Sequence, residues 1–220
     1  MKVTDEVYSY VWNGVFENNC NSYYFGEPLN ILFDPGLKNY TDTLLGNMTK
    51  DGIDIEKIGF VINTHSHPDH IEGNVNFTRY DIPVGMHKDE ILFLNDQGSK
   101  LFDMMGMVIP EVKFEIELVE GILRIGDVEL EIYKTPGHSP ASVCIYWKEK
   151  KTLVCGDLIF NDSFGRFDFP GGNPALLKES IRRISQLDID YLLPGHMGIV
   201  AGKENVEKNF SKVIEYFRLF

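Results

Sequence analysis

The chain has 220 residues, 43% of them hydrophobic and 25% charged, the composition of one soluble globular domain rather than of a disordered or fibrous chain. Asp and Glu outnumber Lys and Arg by 33 to 21, a formal charge of −12, which repels a phosphate backbone and excludes a general nucleic-acid binder. A chain of this size buries about 70% of its unfolded surface without covalent staples, and the three cysteines, Cys20, Cys144 and Cys155, form no CxxC pair. A reducing, cytoplasmic setting is expected. The N-terminus carries acids at Asp5 and Glu6 instead of a signal-peptide pattern, and no stretch reaches the roughly 18 apolar residues of a membrane span.

In chain order, residues 7–11, 22–25, 31–33 and 58–62 are β-rich and each run ends at Gly, Pro, Asn or Asp. Between the last two, Leu37, Tyr40, Leu44, Leu45 and Met48 recur at helical spacing, which predicts an amphipathic helix beginning after Asp34-Pro35-Gly36 and ending near Lys50. A strand over 82–86 and a helix over 88–94 follow, then an acidic stretch to about Gly121. Residues 122–125, 128–134, 142–147 and 152–155 read as a meander joined by hairpin turns. The helix predicted over 174–187 aligns Leu176, Leu177, Ile181 and Ile184; a strand over 191–193 precedes a helix over 203–218 with Val206, Phe210, Val213, Ile214 and Phe217 on one side. Two half-chains, each covering one sheet face with helices, predict a layered α/β sandwich. Nothing marks a boundary between separate domains.

The chemistry is concentrated in Thr64-His65-Ser66-His67-Pro68-Asp69-His70, directly after the strand at 58–62. Independent composition gives roughly a 0.0003 chance of a His-x-His-x-Asp-His run in this chain. Three imidazoles and a carboxylate in six residues are costly to bury unless something coordinates them. In an extended segment His65 and His67 share a face, while Asp69 and His70 turn away at its end. Imidazole and carboxylate suit zinc, and iron or manganese too. Further donors stand at strand ends: His138 in Thr-Pro-Gly-His, Asp157 after Cys155-Gly156, and His196 after Pro194-Gly195. Each follows a glycine that permits close backbone approach. His87 is read as a helix-start residue and Cys155 as a buried strand thiol, while Tyr23, Phe164 and Phe167 are core or cleft aromatics.

With these residues in order, the chain resembles the metallo-β-lactamase superfamily, in its glyoxalase II-like hydrolase branch. Gly165-Arg166-Phe167-Asp168 is similar to a Gly-Arg-x-Asp segment of its hydrolase and persulfide dioxygenase members, and Asp34 stands where the family ends an early strand with Asp. The resemblance extends over residues 1–220 and implies one domain, an αββα four-layer sandwich of two mixed sheets flanked by helices. It implies two divalent metal ions, zinc foremost, with His65, His67 and His138 on one, Asp69, His70 and His196 on the other, and Asp157 bridging. The implied activity is hydrolysis of a small thioester, ester or lactone by a metal-bridging hydroxide that Asp69 orients, with Arg166 binding an anionic substrate. The small molecule is the implied partner, with neither nucleic acid nor membrane. The alternative is a mononuclear iron enzyme of persulfide dioxygenase type on His65, His138 and Asp157. Glyoxalase II has a C-terminal helical extension, whereas 24 residues follow His196 here.

Overall fold

The computed structural model describes residues 1–14 and 16–217. Strands β1 (Val7–Tyr10), β2 (Ser22–Phe25), β3 (Ile31–Phe33), β4 (Phe60–Ile62), β5 (Val84–His87) and β6 (Phe114–Leu118) lie side by side in that order. The links from β3 to β6 are parallel, and β1, β2 and β3 pair antiparallel. The second sheet draws on β7 (Gly121–Ile125), β8 (Val128–Lys134), β9 (Val143–Trp147) and β10 (Thr152–Gly156). After a small hairpin, β11 (Ile159–Phe160) with β12 (Ser163–Phe164), the chain adds β13 (Tyr191–Pro194) and β14 (Val200–Ala201), for a spatial order β14-β13-β10-β9-β8-β7. Only β10 and β13 are parallel in this sheet.

Parallel neighbours need crossovers, and these carry the helices: α1 (Thr41–Lys50) between β3 and β4, α2 (Pro68–Ile71) and α3 (Asn74–Thr78) between β4 and β5, and α4 (Lys88–Phe93) and α5 (Ser99–Met104) between β5 and β6. A π-helical turn, Leu94–Gly98, joins α4 to α5. On the other side α6 (Pro174–Ile184) links β10 to β13, and α7 (Lys203–Tyr216) closes the chain. Asn173 caps α6 by accepting from the amides of Ala175 and Leu176, with Pro174 at the first helical position. No described helix is long and apolar enough to cross a membrane.

Period-two alternation sorts the side chains into three layers of core. Tyr23, Phe25, Phe33, Ile62, Leu130, Val143, Ile145 and Trp147 fill the space between the sheets. The opposite faces go under helices: Tyr24, Leu32 and Val61 meet Leu44 and Met48 of α1, while Cys144, Tyr146, Leu153 and Leu192 meet Leu177, Ile181, Val206, Phe210 and Val213 of α6 and α7. This is the expected αββα sandwich, and it explains why β2, β3, β9 and β10 read as unbroken apolar runs: both of their faces are covered.

The differences from expectation have local causes. In the acidic stretch before Gly121, α5 and the edge strand β6 form; in Phe-Glu-Ile-Glu-Leu the apolar residues turn inward and Glu115 and Glu117 face water. The strand expected over 58–62 starts at Phe60 because Ile55–Lys57 makes a 3-10 turn. The last helix ends at Tyr216, and the expected terminal residue, Arg218, lies outside the described residues. Leu176 departs from the apolar face assigned to it: with 100° per residue it points away from Leu177, Ile181 and Ile184, and it is 39% exposed. Accordingly Ile181→Ala should lower unfolding free energy by about 2–5 kcal/mol in urea titrations, whereas Leu176→Ala should change it by less than about 1 kcal/mol. Equal losses would show that α6 docks by a different face.

Candidate metal centre

Every chemistry-bearing residue singled out above stands at one edge, where the parallel strands end. Asp34 follows β3, the segment from Thr64 to His70 runs from β4 into α2, Asp157 follows β10 and His196 follows β13. His138 lies in the turn from β8 to β9, and β9 is antiparallel to β10, so that turn reaches the same edge. Crevices outside the carboxyl ends of parallel strands are where α/β folds place ligands. His67 is extended at the start of α2, and Pro68 at the first helical position begins the turn that carries Asp69 and His70.

Three groups of donor atoms converge to within 4.8 Å: His65, His67 and His138; Asp69, His70 and His196; and His65, His70 and Asp157. The Nε2 atoms of His65 and His138 are 3.2 Å apart. Asp69 Oδ2 is 3.2 Å from His196 Nε2. Asp157 touches both sides, with Oδ1 3.3 Å from His70 Nε2 and Oδ2 3.4 Å from His138 Nε2 and 3.5 Å from His196 Nε2. The expected glycine clearance holds at Gly195, where a Cβ would come within 2.2 Å of Asp157 Oδ1. At Gly137 the space is taken by the backbone of α6 at Leu177, so that glycine serves helix packing and not the site.

The surrounding hydrogen bonds fix which ring nitrogen faces inward. His138 Nδ1 lies 2.6 Å from the carbonyl of Arg166, which only accepts, so Nδ1 carries the hydrogen. His70 Nδ1 donates to Asp34 Oδ2 at 3.0 Å. Thr64 Oγ1 donates to Asp34 Oδ2 and is left to accept from His65 Nδ1 at 3.1 Å, while the Thr64 amide donates to Asp34 Oδ1. Asp34 thus orients His70 directly and His65 through Thr64, and each of the three imidazoles, in its neutral form, aims a lone pair on Nε2 at the centre. Two such lone pairs 3.2 Å apart repel unless a cation lies between their owners. His67 Nε2, His70 Nε2 and Asp157 Oδ1 are buried with no protein hydrogen-bond partner. Nitrogen and carboxylate donors left open in this way fit divalent metal ions of the zinc, iron or manganese type.

Electrostatics divide the cluster: the neutral ring is favoured at His65, His67 and His138, whereas at His70 and His196 burial is outweighed by nearby negative groups, which favour the charged ring. Burial, then the neighbouring imidazoles, hold His65 and His67 well below the usual histidine range, and burial also lowers His138; neutral rings are the form that ligates. On the other side burial opposes ionisation, yet His196, His70 and His138 together hold Asp157 well below the carboxylate range. Burial likewise works against a charged His196, but Asp157 and Asp69 push it up to about 10.

A cleft of about 620 Å³ opens over these groups. Leu101, Met105, Phe160, Phe169 and Met197 form its apolar wall, and Asn18 and Arg166 are polar members of its lining. The Arg166 guanidinium stacks 4.0 Å from the Phe169 ring centroid, and its Nε and Nη2 bind Asp168 at 2.9 and 2.7 Å. That hydrogen bond brings exposed Asp168 to about 2. Asn18, which drew no attention in the sequence, donates to Asp69 Oδ2 at 2.7 Å. Sequence reasoning also passed over Glu90, whose buried carboxylate accepts hydrogen bonds around the two histidine loops; an acid inside a short helix carries no spacing signal. His87 caps α4 by accepting from the Asp89 amide, and Cys155 is buried with its thiol pushed well above its ordinary pKa, so both keep structural roles. Tyr23 and Phe164 lie in the core, and Phe167 stacks on Phe164.

A match to the metallo-beta-lactamase superfamily spans residues 15–196. The chain belongs to this superfamily. A probable metallo-hydrolase of Methanocaldococcus jannaschii is 32% identical over 184 residues, 81% of this chain and 87% of the relative. A hydroxyacylglutathione hydrolase of Haemophilus influenzae is 27% identical over 189 residues, 82% and 86% of the two chains. Among solved structures, a protein crystallised in a di-iron-bound form superposes with TM-score 0.69 at 27% identity, covering 83% of this chain and 89% of the other.

Within the superfamily the chain is a metal-dependent hydrolase, and the open donor atoms at the strand ends are where its metal fits. Outer hydrogen bonds to ligating histidines commonly control affinity by 10- to 100-fold. Asp34→Ala should therefore weaken metal binding by about that factor in chelator competition, with the chain still folded by circular dichroism. Unchanged affinity would show that Asp34 serves only the backbone around Thr64.

Proposed function

We propose that the chain is a single-domain binuclear hydrolase that cleaves a small thioester, ester or lactone, with His65, His67 and His138 around one ion, Asp69, His70 and His196 around a second, and Asp157 between them. The observation that carries this reading is Asp157, whose two oxygens reach imidazoles of both groups. When bound, a pair of divalent ions supplies hydroxide near neutral pH, by lowering the pKa of water from about 15.7 to about 7, and polarises the carbonyl under attack. The mixed nitrogen and carboxylate donors suit zinc first, and the two irons of the related structure keep iron in play.

The chain's own residues supply position. Asp69, held by Asn18 and His196, orients the attacking oxygen by accepting its hydrogen bond. Leu101, Met105 and Phe169 receive the apolar part of the substrate and exclude water from it. Arg166, at the same cleft, receives an anionic tail, exchanging or sharing its fork with Asp168. The hydroxyacylglutathione hydrolase among the relatives supports a thioester. Three buried, unpaired cysteines support a cytoplasmic setting. The iron dioxygenase reading uses His65, His138 and Asp157 and leaves His67, Asp69, His70 and His196 gathered at the same edge with no task.

Elemental analysis of the purified chain should find close to two zinc, iron or manganese ions per chain, and Asp157→Ala should lose both together with all turnover of a thioester and lactone panel. Two tightly held ions in that variant would refute the bridging role, and a single iron in the parent would turn the reading to oxygen-dependent sulfur chemistry. Arg166→Ala should raise KM for anionic substrates with little change in kcat. The same loss on neutral substrates would assign Arg166 to the loop alone.

A further inference from the structure

Glu90 takes no part in the roles assigned so far, yet it is placed where both histidine loops meet. It lies in α4 with no exposed surface. Its Oε1 accepts from the amide and hydroxyl of Ser66 at 3.2 and 2.8 Å, and its Oε2 accepts from the amide of Ala141 at 2.9 Å. Ser66 is the residue between His65 and His67, and Ala141 lies three residues after His138 in the same turn. One carboxylate therefore binds the spacer of the first two imidazoles and the segment that carries the third, 73 positions further along the chain.

A carboxylate without solvent is expensive unless every lone pair is answered. Here each partner is a donor, and charge-assisted bonds of this kind are short and about twice as strong as neutral ones. Neutral residues of similar size would fill the space without holding the two segments in one register. The position is thus paid for in desolvation, and what it secures is the spacing of three Nε2 atoms.

We propose that Glu90 is a positioning residue of the metal centre, a clamp that sets the separation of the His65–His67 loop from the His138 loop and thereby the affinity of the ion those three histidines hold. This rests on the reading that His65, His67 and His138 share an ion. Glu90→Gln tests it sharply, because an amide nitrogen facing Ala141 meets a backbone N–H that can only donate, and one facing Ser66 meets the Ser66 N–H and must reverse the Ser66 hydroxyl.

The experiment is cobalt(II) titration of the chelator-stripped full chain in competition with a chromophoric chelator, following the visible cobalt bands. The band that His138→Ala removes identifies the first ion. In Glu90→Gln that ion should bind about 10- to 100-fold more weakly, its band should shift, and the other ion should keep its affinity. Ser66→Ala, which removes one of the bonds and no ligand, should move the same band in the same direction by a smaller factor. Restoring the acid as Glu90→Asp should recover part of the affinity, which a purely space-filling role would not. If Glu90→Gln fails to fold, Ser66→Ala decides alone. Parental affinity and an unmoved band in the folded variants overturn the clamp while leaving the metal reading intact; a parent that binds no cobalt overturns both.

Discussion

Seven metal-seeking side chains share one small volume, and most of them are acceptors pointing at one another. His65 and His138 aim ring lone pairs at each other across 3.2 Å, and Asp157 and Asp69 place carboxylates beside His138 and two further imidazoles, His70 and His196. Left alone, such a cluster stores repulsion and unmade hydrogen bonds, each an appreciable cost in a buried site. Much of the surrounding structure keeps that arrangement from relaxing. Asp34 and the Arg166 carbonyl hold the outer ring nitrogens of His70 and His138, so rotation of either ring to a more comfortable pose would break a buried bond.

The two sheets are joined at the same edge. Val143 donates its amide to Thr64 across the sandwich, Asn21 spans to the carbonyls of Pro194 and Met197, and Tyr23 donates to Pro194 at 2.6 Å. These bonds tie the turn bearing His65 to the start of β9 near His138, and β2 to the turn bearing His196. The inter-sheet apolar core supplies cohesion without direction; the polar ties supply the register that a metal centre needs. Burial of Tyr23 on one side and Trp147 on the other makes sliding of the sheets costly, because a shift of one residue would expose one set of core side chains on each strand.

The site was more legible in the sequence than parts of the fold were. His65, His67, Asp69 and His70 announce themselves because imidazoles are scarce and clustered, and His138, Asp157 and His196 each follow a β-rich run and a glycine. The structure gathers all seven at one edge. Layering was legible too, since helical spacing and strand alternation each leave a period. The strand β6 was hidden because Glu115 and Glu117 dominate its composition although they occupy only its wet face. Leu176 was misassigned because adjacent positions on a helix differ by 100° however apolar both are. Asn18 and Glu90 left no trace, because their partners are 51 and 24 positions away and the chain gives no local sign of them.

The same division explains why the chemistry is more sharply written than the substrate. The inward-facing donors sit on strand ends and on the first turn of a helix, elements whose geometry is fixed by backbone pairing and by two layers of core. The cleft wall comes from other places: Asn18 on the segment before β2, Leu101 and Met105 at α5 beyond a π-helical turn, Phe169 and Arg166 on the loop before α6, and Met197 after β13. Loops and short helices on a rigid scaffold change their side chains without disturbing the fold. Metal-dependent hydrolysis belongs to the rigid part, whereas the choice of substrate depends on how those separate segments meet. Because Glu90 belongs to α4, which runs through the π-helical turn into α5 and the Leu101 wall, it touches both divisions at once. A change in that helical run can reach the ligand loops without altering a single ligand.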